Sequence, residues 1–190
     1  MTTLIIGLVI FFGLHSIAIV SPEFRSDAMH RLGEGAWKGV YGLASLVGLG
    51  LMIYGFGLAR GASVVLYTPP SWMRHVALLL MLPVFPLLIA AYLPGRIKAA
   101  TKHPMLAAVK FWAFAHLLVN GRLADVLLFG GFLAWAVADR ISLKRRPPQY
   151  ARAAPIMRFN DLWAVVLGLA LYAFTIGWLH ARLFGVSPLG

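Results

Sequence analysis

Two histidines lie inside stretches of the sequence that are otherwise apolar. His15 is near the end of the run 4–20, and His116 lies within the run 105–119. An ionisable side chain inside a membrane span is costly and therefore marks a candidate functional site. A neutral imidazole is also the usual axial ligand of a haem iron. His15 and His116 are therefore candidate metal ligands of a haem b, with a hydrogen bond to a neighbouring helix as the alternative role for either ring.

Further polar residues accompany His116 at helical spacing. Trp112, His116 and Asn120 follow one another at intervals of one helical turn, so they form a single stripe on a helix. Asn120 is a natural hydrogen-bond partner for His116. Trp112 and Asn120 are therefore candidate cofactor-binding residues beside the proposed ligand.

Basic residues lie toward the start of the same helix. His103 precedes Pro104, and proline suits the first position of a helix, so His103 is expected where this helix begins. Lys110 lies seven residues after His103 on a different stripe from His116. His103 and Lys110 are candidate cofactor-binding residues, with Lys102 or Lys110 near haem propionates. Alternatively, Lys110 extends its ammonium group to the lipid headgroups.

The composition is that of an integral membrane protein. Hydrophobic residues make up 61% of the 190 residues and charged residues 12%, against about 45–50% and 25% in soluble domains. The sequence predicts an all-α bundle of about six transmembrane helices, forming a single domain over 1–190. Five is the alternative, because Lys110 and His116 make the fourth window less apolar. The predicted spans are 3–20, 39–58, 74–93, 105–120, 123–139 and 161–181.

The basic residues are distributed unevenly between the predicted loops. The net charge is +11, and twelve of the 17 lysines and arginines lie in the segments 21–38, 94–104 and 140–160. The positive-inside rule places these segments in the cytoplasm and both termini in the periplasm. The charge therefore indicates orientation and does not indicate nucleic acid, and the segment Lys144–Arg146 is expected to contact anionic lipid headgroups.

Several other chemistries lack the residues they need. The chain has no cysteine, which excludes disulfides, thiolate ligands and c-type haem attachment. The spans contain no pair of carboxylates at useful spacing, and no phosphate loop or nucleophile elbow is present. The first residues lack a basic segment, so we expect no cleaved signal peptide.

Several sequence motifs resemble the NnrU family of small membrane proteins. The resemblance covers most of residues 1–140 and is less clear from about 145 to 190. It is carried by Leu14–Ser16, LGEGAWKG at Leu32–Gly39, TPPSWMRHVALLLMLP at Thr68–Pro83, KHPMLAAVKFWAFAHLLVNG at Lys102–Gly121 and LADVLLFGGFLAWAVADR at Leu123–Arg140. The resemblance implies a bacterial inner-membrane protein associated with denitrification, needed for production of nitrite and nitric oxide reductases.

The family is in turn similar to zeta-carotene isomerase, a haem b enzyme. His15-Ser16 and the pattern His103-Pro104…Trp112-x-x-x-His116 are shared, and this likeness implies His15 and His116 as haem ligands. Ala113 stands where the isomerase has a cysteine implicated in ligand switching, which counts against the same isomerisation mechanism.

Three hypotheses follow from these features. The first is a haem b protein that serves nitrogen-oxide respiration. The second is a haem-dependent cis–trans isomerase acting on a hydrophobic polyene. The third is a cofactor-free assembly factor that docks denitrification reductase components.

Overall fold

The computed structural model describes residues 1–145, 157 and 159–190, and those residues form helices joined by short connections. Among the described residues, β-type pairing consists of one isolated antiparallel bridge between Val65 and Arg122. The helices are α1 (Thr2–Val20), α2 (Pro22–Leu32), α3 (Glu34–Ala62), α4 (Met73–Ala90), α5 (Arg96–Thr101), α6 (Pro104–Leu117), α7 (Leu123–Arg145) and α8 (Asn160–Phe184).

Five of the described helices are long and apolar enough to cross a membrane: α1, α3, α4, α7 and α8. The fold class predicted from the sequence, an all-α membrane protein, is therefore confirmed. The predicted number of six is corrected to five, because α6 has only 14 residues. At 1.5 Å per residue it is about 21 Å long, short of a hydrocarbon core of about 30 Å. Proline at its first position and the turn that begins at Leu118 set its ends.

The chain divides into two compact units. Unit 1 comprises Met1–Tyr67 and Gly121–Leu143, and unit 2 comprises Thr68–Asn120 and Lys144–Gly190. His15 belongs to unit 1, and His116 belongs to unit 2. Much of the predicted basic segment 140–160 lies outside the described residues, whereas its first residues, through Arg145, extend α7.

Glycines bring α1 and α3 into close contact in unit 1. A Cβ atom added at Gly55 would lie 2.7 Å from Leu4 Cα, and one added at Gly48 would lie 3.0 Å from the Phe11 nitrogen. The high glycine content of α3 predicts such a close approach between helices. Six other glycines of α3 have no atom within 4 Å of such a Cβ: Gly35, Gly39, Gly42, Gly50, Gly57 and Gly61. Only part of the glycine content of α3 therefore serves packing against α1.

A polar connection joins the end of α3 to the start of α7 in unit 1. The Ala124 backbone N–H donates to the buried Ser63 hydroxyl oxygen at 2.9 Å, and the Leu123 N–H donates to the Val64 carbonyl at 2.8 Å. Asp125 is buried and accepts from the Arg122 backbone N–H at 3.1 Å. These bonds satisfy N–H groups that the first turn of a helix leaves without intrahelical partners.

Proline interrupts α4 in unit 2, as its sequence predicts. Helix Met73–Met81 ends before Pro83, and a second helical stretch, Val84–Ala90, follows. The Leu82 N–H donates to the Leu79 carbonyl at 3.3 Å, which releases the Leu78 carbonyl from the usual helical pattern. The Tyr172 hydroxyl of α8 donates to that Leu78 carbonyl at 2.8 Å. A second helix therefore satisfies the carbonyl that the proline break exposes.

We expect Tyr172→Phe to destabilise unit 2 by roughly 0.6 kcal/mol, the average for hydrogen bonds between membrane helices, and by no more than about 1.7 kcal/mol, the largest such value. The phenylalanine ring keeps the packing but leaves the Leu78 carbonyl without its donor. Tyr54→Phe is the control, because the Tyr54 side chain is exposed on α3. Titration with a denaturing detergent, followed by circular dichroism, measures both variants. Equal stability of the two variants would contradict a role for this hydrogen bond.

Asp161 connects α8 to α5 within unit 2. An acidic residue at the start of α8 is expected to cap that helix. Its carboxylate instead accepts from the backbone N–H groups of Arg96 at 2.8 Å and Ile97 at 3.0 Å. Asp161 therefore caps α5, and a side chain at Gly95 would collide with this carboxylate.

Candidate functional site

His15 lies in an aromatic cluster formed by α1, α3 and α7 of unit 1. The Phe11 ring stacks on the imidazole, with ring centroids 4.0 Å apart. The Tyr41 and Trp135 rings lie 5.4 Å and 5.8 Å from it, and the Trp135 ring is nearly perpendicular to it at 86°. The Phe12 ring stacks on the Trp135 ring and extends the cluster on that side. The imidazole is therefore surrounded by aromatic side chains from three helices.

A hydrogen bond fixes the tautomer of His15. Its Nδ1 lies 2.8 Å from the Phe11 carbonyl oxygen, one turn earlier in α1. A carbonyl oxygen only accepts, so Nδ1 carries the proton and the lone pair is on Nε2. Histidines that bind metals through Nε2 commonly have this arrangement, in which Nδ1 donates to a backbone carbonyl or a carboxylate. Within the described part of the chain, Nε2 of His15 accepts no hydrogen bond.

Two buried polar atoms near His15 also lack hydrogen-bond partners among the described residues. They are the indole Nε1 of Trp135 and the hydroxyl oxygen of Ser45. On α3, Ser45 lies between Tyr41, which contacts His15, and Gly48, which faces Phe11. Ser45 is therefore at the level of His15 along α1. A buried donor without a partner is unfavourable and is typical of a position where a ligand or water supplies an acceptor.

A π-helical stretch precedes the α7 residues that face His15. Residues Val126–Gly130 are π-helical, and Phe132 and Trp135 follow in regular α-helix. A π turn inserts an extra residue and changes which downstream side chains face a neighbouring helix; such turns occur often at functional sites. Phe132 contacts both Phe11 and Phe12, with centroids 5.6 Å and 5.0 Å apart. The π stretch therefore sets the face that α7 presents to His15.

His116 has the same local geometry as His15, but in unit 2. Its Nδ1 lies 2.8 Å from the Trp112 carbonyl oxygen, four residues earlier in α6. The Trp112 and His116 rings are 5.3 Å apart between centroids, so the stripe predicted from the sequence exists. Asn120 donates to the His116 backbone carbonyl at 2.9 Å and so supports the end of α6. Again the tautomer places the lone pair on Nε2.

The remaining predicted residues lie on or beside α6. His103 immediately precedes the helix, as expected, and provides no side-chain cap. Lys110 is half-buried on the helix, whereas Lys102 is exposed in the preceding connection. The sequence did not single out Tyr41, Ser45 or Trp135, because their positions around His15 depend on how α3 and α7 pack against α1.

The two histidines can be compared with what haem iron requires of a protein. Among the described residues no three His, Asp or Glu side chains are grouped so that they could hold a metal ion. Haem iron takes four ligands from the porphyrin and needs only one or two from the protein. An Nδ1-protonated histidine with aromatic neighbours fits that requirement at each of the two positions.

The helices define a polytopic α-helical membrane protein. The family model described as NnrU protein matches residues 3–188, nearly the whole chain, and the chain therefore belongs to the NnrU family. This match includes the C-terminal segment, where the resemblance seen in the sequence is less clear. A search of curated proteins and a search of solved structures each found no match.

Proposed function

We propose that this NnrU-family protein binds haem b and that His15 and His116 would supply the protein ligands of its iron. One observation carries the proposal: each imidazole donates from Nδ1 to the carbonyl four residues earlier, an arrangement common in histidines that bind metals through Nε2. The unpartnered donors of Trp135 and Ser45 support it, because a bound ligand with acceptor atoms would satisfy them. Aromatic side chains would exclude water from the cofactor.

The proposed ligation suits electron transfer. A haem held by two histidines would supply single-electron transfer without binding substrate at its iron. His15 and His116 hold their rings through backbone bonds, so each presents Nε2 in a fixed orientation. Phe11 and Trp112 restrict rotation of these rings through direct contact. We propose a role in denitrification for this haem protein, in producing or operating the nitrite and nitric oxide reductases.

The isomerase alternative has less support in this chain. Ala113 is fully buried in α6, where its methyl group offers no thiol for ligand switching. The assembly-factor alternative predicts a reductase subunit that copurifies with the protein in the absence of haem. We therefore place electron transfer or haem handling ahead of both.

The proposed location is the bacterial inner membrane, with both termini periplasmic. Two termini on one side need an even number of crossings, whereas five described helices have spanning length. This orientation therefore requires the chain to cross once more at α6, with residues on either side of that helix completing the crossing. The test is protease treatment of sealed inner-membrane vesicles that carry the protein with an N-terminal or a C-terminal tag. The orientation predicts that both tags are cleaved or that both are protected. Cleavage of one tag and protection of the other would contradict it.

The functional role is tested in a denitrifying strain that lacks the gene. We expect membranes of this strain to lose most nitrite and nitric oxide reductase activity, and plasmid-borne wild-type protein to restore it. A His15→Ala protein present at wild-type abundance is expected not to restore it. Full restoration by that variant would argue for a role that needs no haem ligand at His15.

A further inference from the structure

The short helix α2 lies at the membrane boundary of unit 1. It begins at Pro22 and ends at Leu32, and a single residue at each end, Ser21 and Gly33, joins it to α1 and α3. Both neighbouring helices are long and apolar enough to span a bilayer. The ends of two spans therefore place α2 at a membrane surface. The sequence predicted a connecting loop over 21–38, and the structure replaces most of that loop with this helix.

Local interactions favour the helix at this position. The Ser21 hydroxyl accepts from the Phe24 N–H at 3.4 Å, and proline occupies the first position. Glu23 lies in the first turn, whereas His30 and Arg31 lie in the last, which suits the helix dipole. Gly33 then adopts φ of 79°, the left-handed region that glycine favours, and the chain turns into α3.

The exposed surface of α2 is apolar along one stripe. No residue of α2 is buried, and Phe24 and Leu32 are 57% and 54% exposed. Phe24, Ala28 and Leu32 follow one another at one-turn intervals and so lie on the same side of the helix. Beside two spans, large exposed apolar side chains can be buried at the boundary between lipid headgroups and acyl chains.

The charges of α2 are arranged around this stripe. At 3.6 residues per turn, Arg31 borders the stripe on one side and Arg25 borders it on the other. Glu23 and His30 project from the opposite side of the helix, and Asp27 lies between them and Arg31, one turn before Arg31. Basic residues at the edges of an apolar stripe, with acidic residues away from it, match an anionic lipid surface.

We propose that α2 is an interfacial helix that binds anionic phospholipid. Phe24 and Leu32 enter the boundary between headgroups and acyl chains, and Arg25 and Arg31 contact lipid phosphates. Glu23 and Asp27 remain in water. This inference is independent of haem binding, because it rests on α2 alone.

The absence of cysteine from the chain makes a labelling experiment direct. Single cysteines replace Phe24 or Leu32 in the full-length protein, and Glu23 or Asp27 in the matched controls. Each carries an environment-sensitive fluorophore and is reconstituted into phosphatidylcholine vesicles with or without phosphatidylglycerol. We expect quenching by spin-labelled lipid at 24 and 32, and quenching by aqueous iodide at 23 and 27. Equal iodide quenching at all four positions would overturn the proposal.

Two further outcomes separate the possible partners of α2. Labels at 24 and 32 that are shielded from iodide but are not quenched by lipid would overturn the proposal in favour of contact with protein. The charge preference is tested by Arg25→Gln with Arg31→Gln in the Leu32→Cys background. Phosphatidylglycerol is expected to increase lipid quenching in the parent and to have a smaller effect in the double variant. Identical responses to phosphatidylglycerol would overturn the anionic-lipid assignment.

Discussion

Replacing either His15 or His116 with alanine is expected to remove the absorption spectrum of a bis-histidine haem. Under the proposed ligation, each substitution would remove one histidine ligand and leave the iron with at most one protein ligand. We expect purified variants to have either greatly reduced haem content or a high-spin spectrum, while the sharp α band on reduction is lost. Pyridine haemochrome analysis and absorption spectroscopy of equal amounts of protein measure the two effects separately.

His180 provides the sharpest control for this prediction. Its Nδ1 also lies close to a backbone carbonyl oxygen, that of Val186, at 2.7 Å. The account assigns it no ligand role, so His180→Ala should keep wild-type haem content and spectrum. His15→Gly and His116→Gly should regain the low-spin spectrum when imidazole is added, because the free base can occupy the vacated position. Retention of the wild-type spectrum in His15→Ala would exclude His15 as a ligand.

Gly55→Ala is expected to destabilise unit 1, whereas Gly57→Ala should be neutral or slightly stabilising. A Cβ at Gly55 would press on the backbone of Thr3 and Leu4, with 2.7 Å to Leu4 Cα. Backbone atoms cannot move aside by changing rotamer, so α1 and α3 must separate. Overpacking of this kind costs about 1–3 kcal/mol. At Gly57 no atom lies within 4 Å of the added Cβ, and alanine favours helix over glycine.

The two glycine variants are a matched pair, since they differ by two positions on one helix. Detergent-induced unfolding followed by circular dichroism compares their stabilities under identical conditions. A similar loss in both variants would mean that helix flexibility, and not contact with α1, explains the need for glycine. A loss confined to Gly55→Ala would support the close packing seen in unit 1.

Much of the fold was predictable from apolar runs and proline positions. The spans 3–20 and 74–93 correspond closely to α1 and α4, because a membrane helix needs a long run without charge. The break in α4 followed from Pro83, which has no N–H to donate and cannot continue the helical pattern. The prediction of a sixth helix of spanning length was wrong. Apolar composition continues past Leu117, but α6 ends there.

The surroundings of His15 were not predictable to the same degree. Phe11 is one turn away on the same helix, so its contact followed from spacing alone. Tyr41 and Trp135 lie far along the chain, and their contacts depend on helix packing and on the π stretch of α7. For α2, a signal was present: Ser21 before Pro22, with Glu23 in the next position, is typical of a helix start.

The most direct test of the central claim is the spectrum of the wild-type protein. The protein is produced with ample haem, purified in detergent, and examined in the oxidised and dithionite-reduced forms. Ligation by His15 and His116 predicts a Soret band, sharp α and β bands on reduction, and a low-spin ferric signal in electron paramagnetic resonance. A folded protein with no Soret band, or one whose haem is entirely high-spin, would contradict the account.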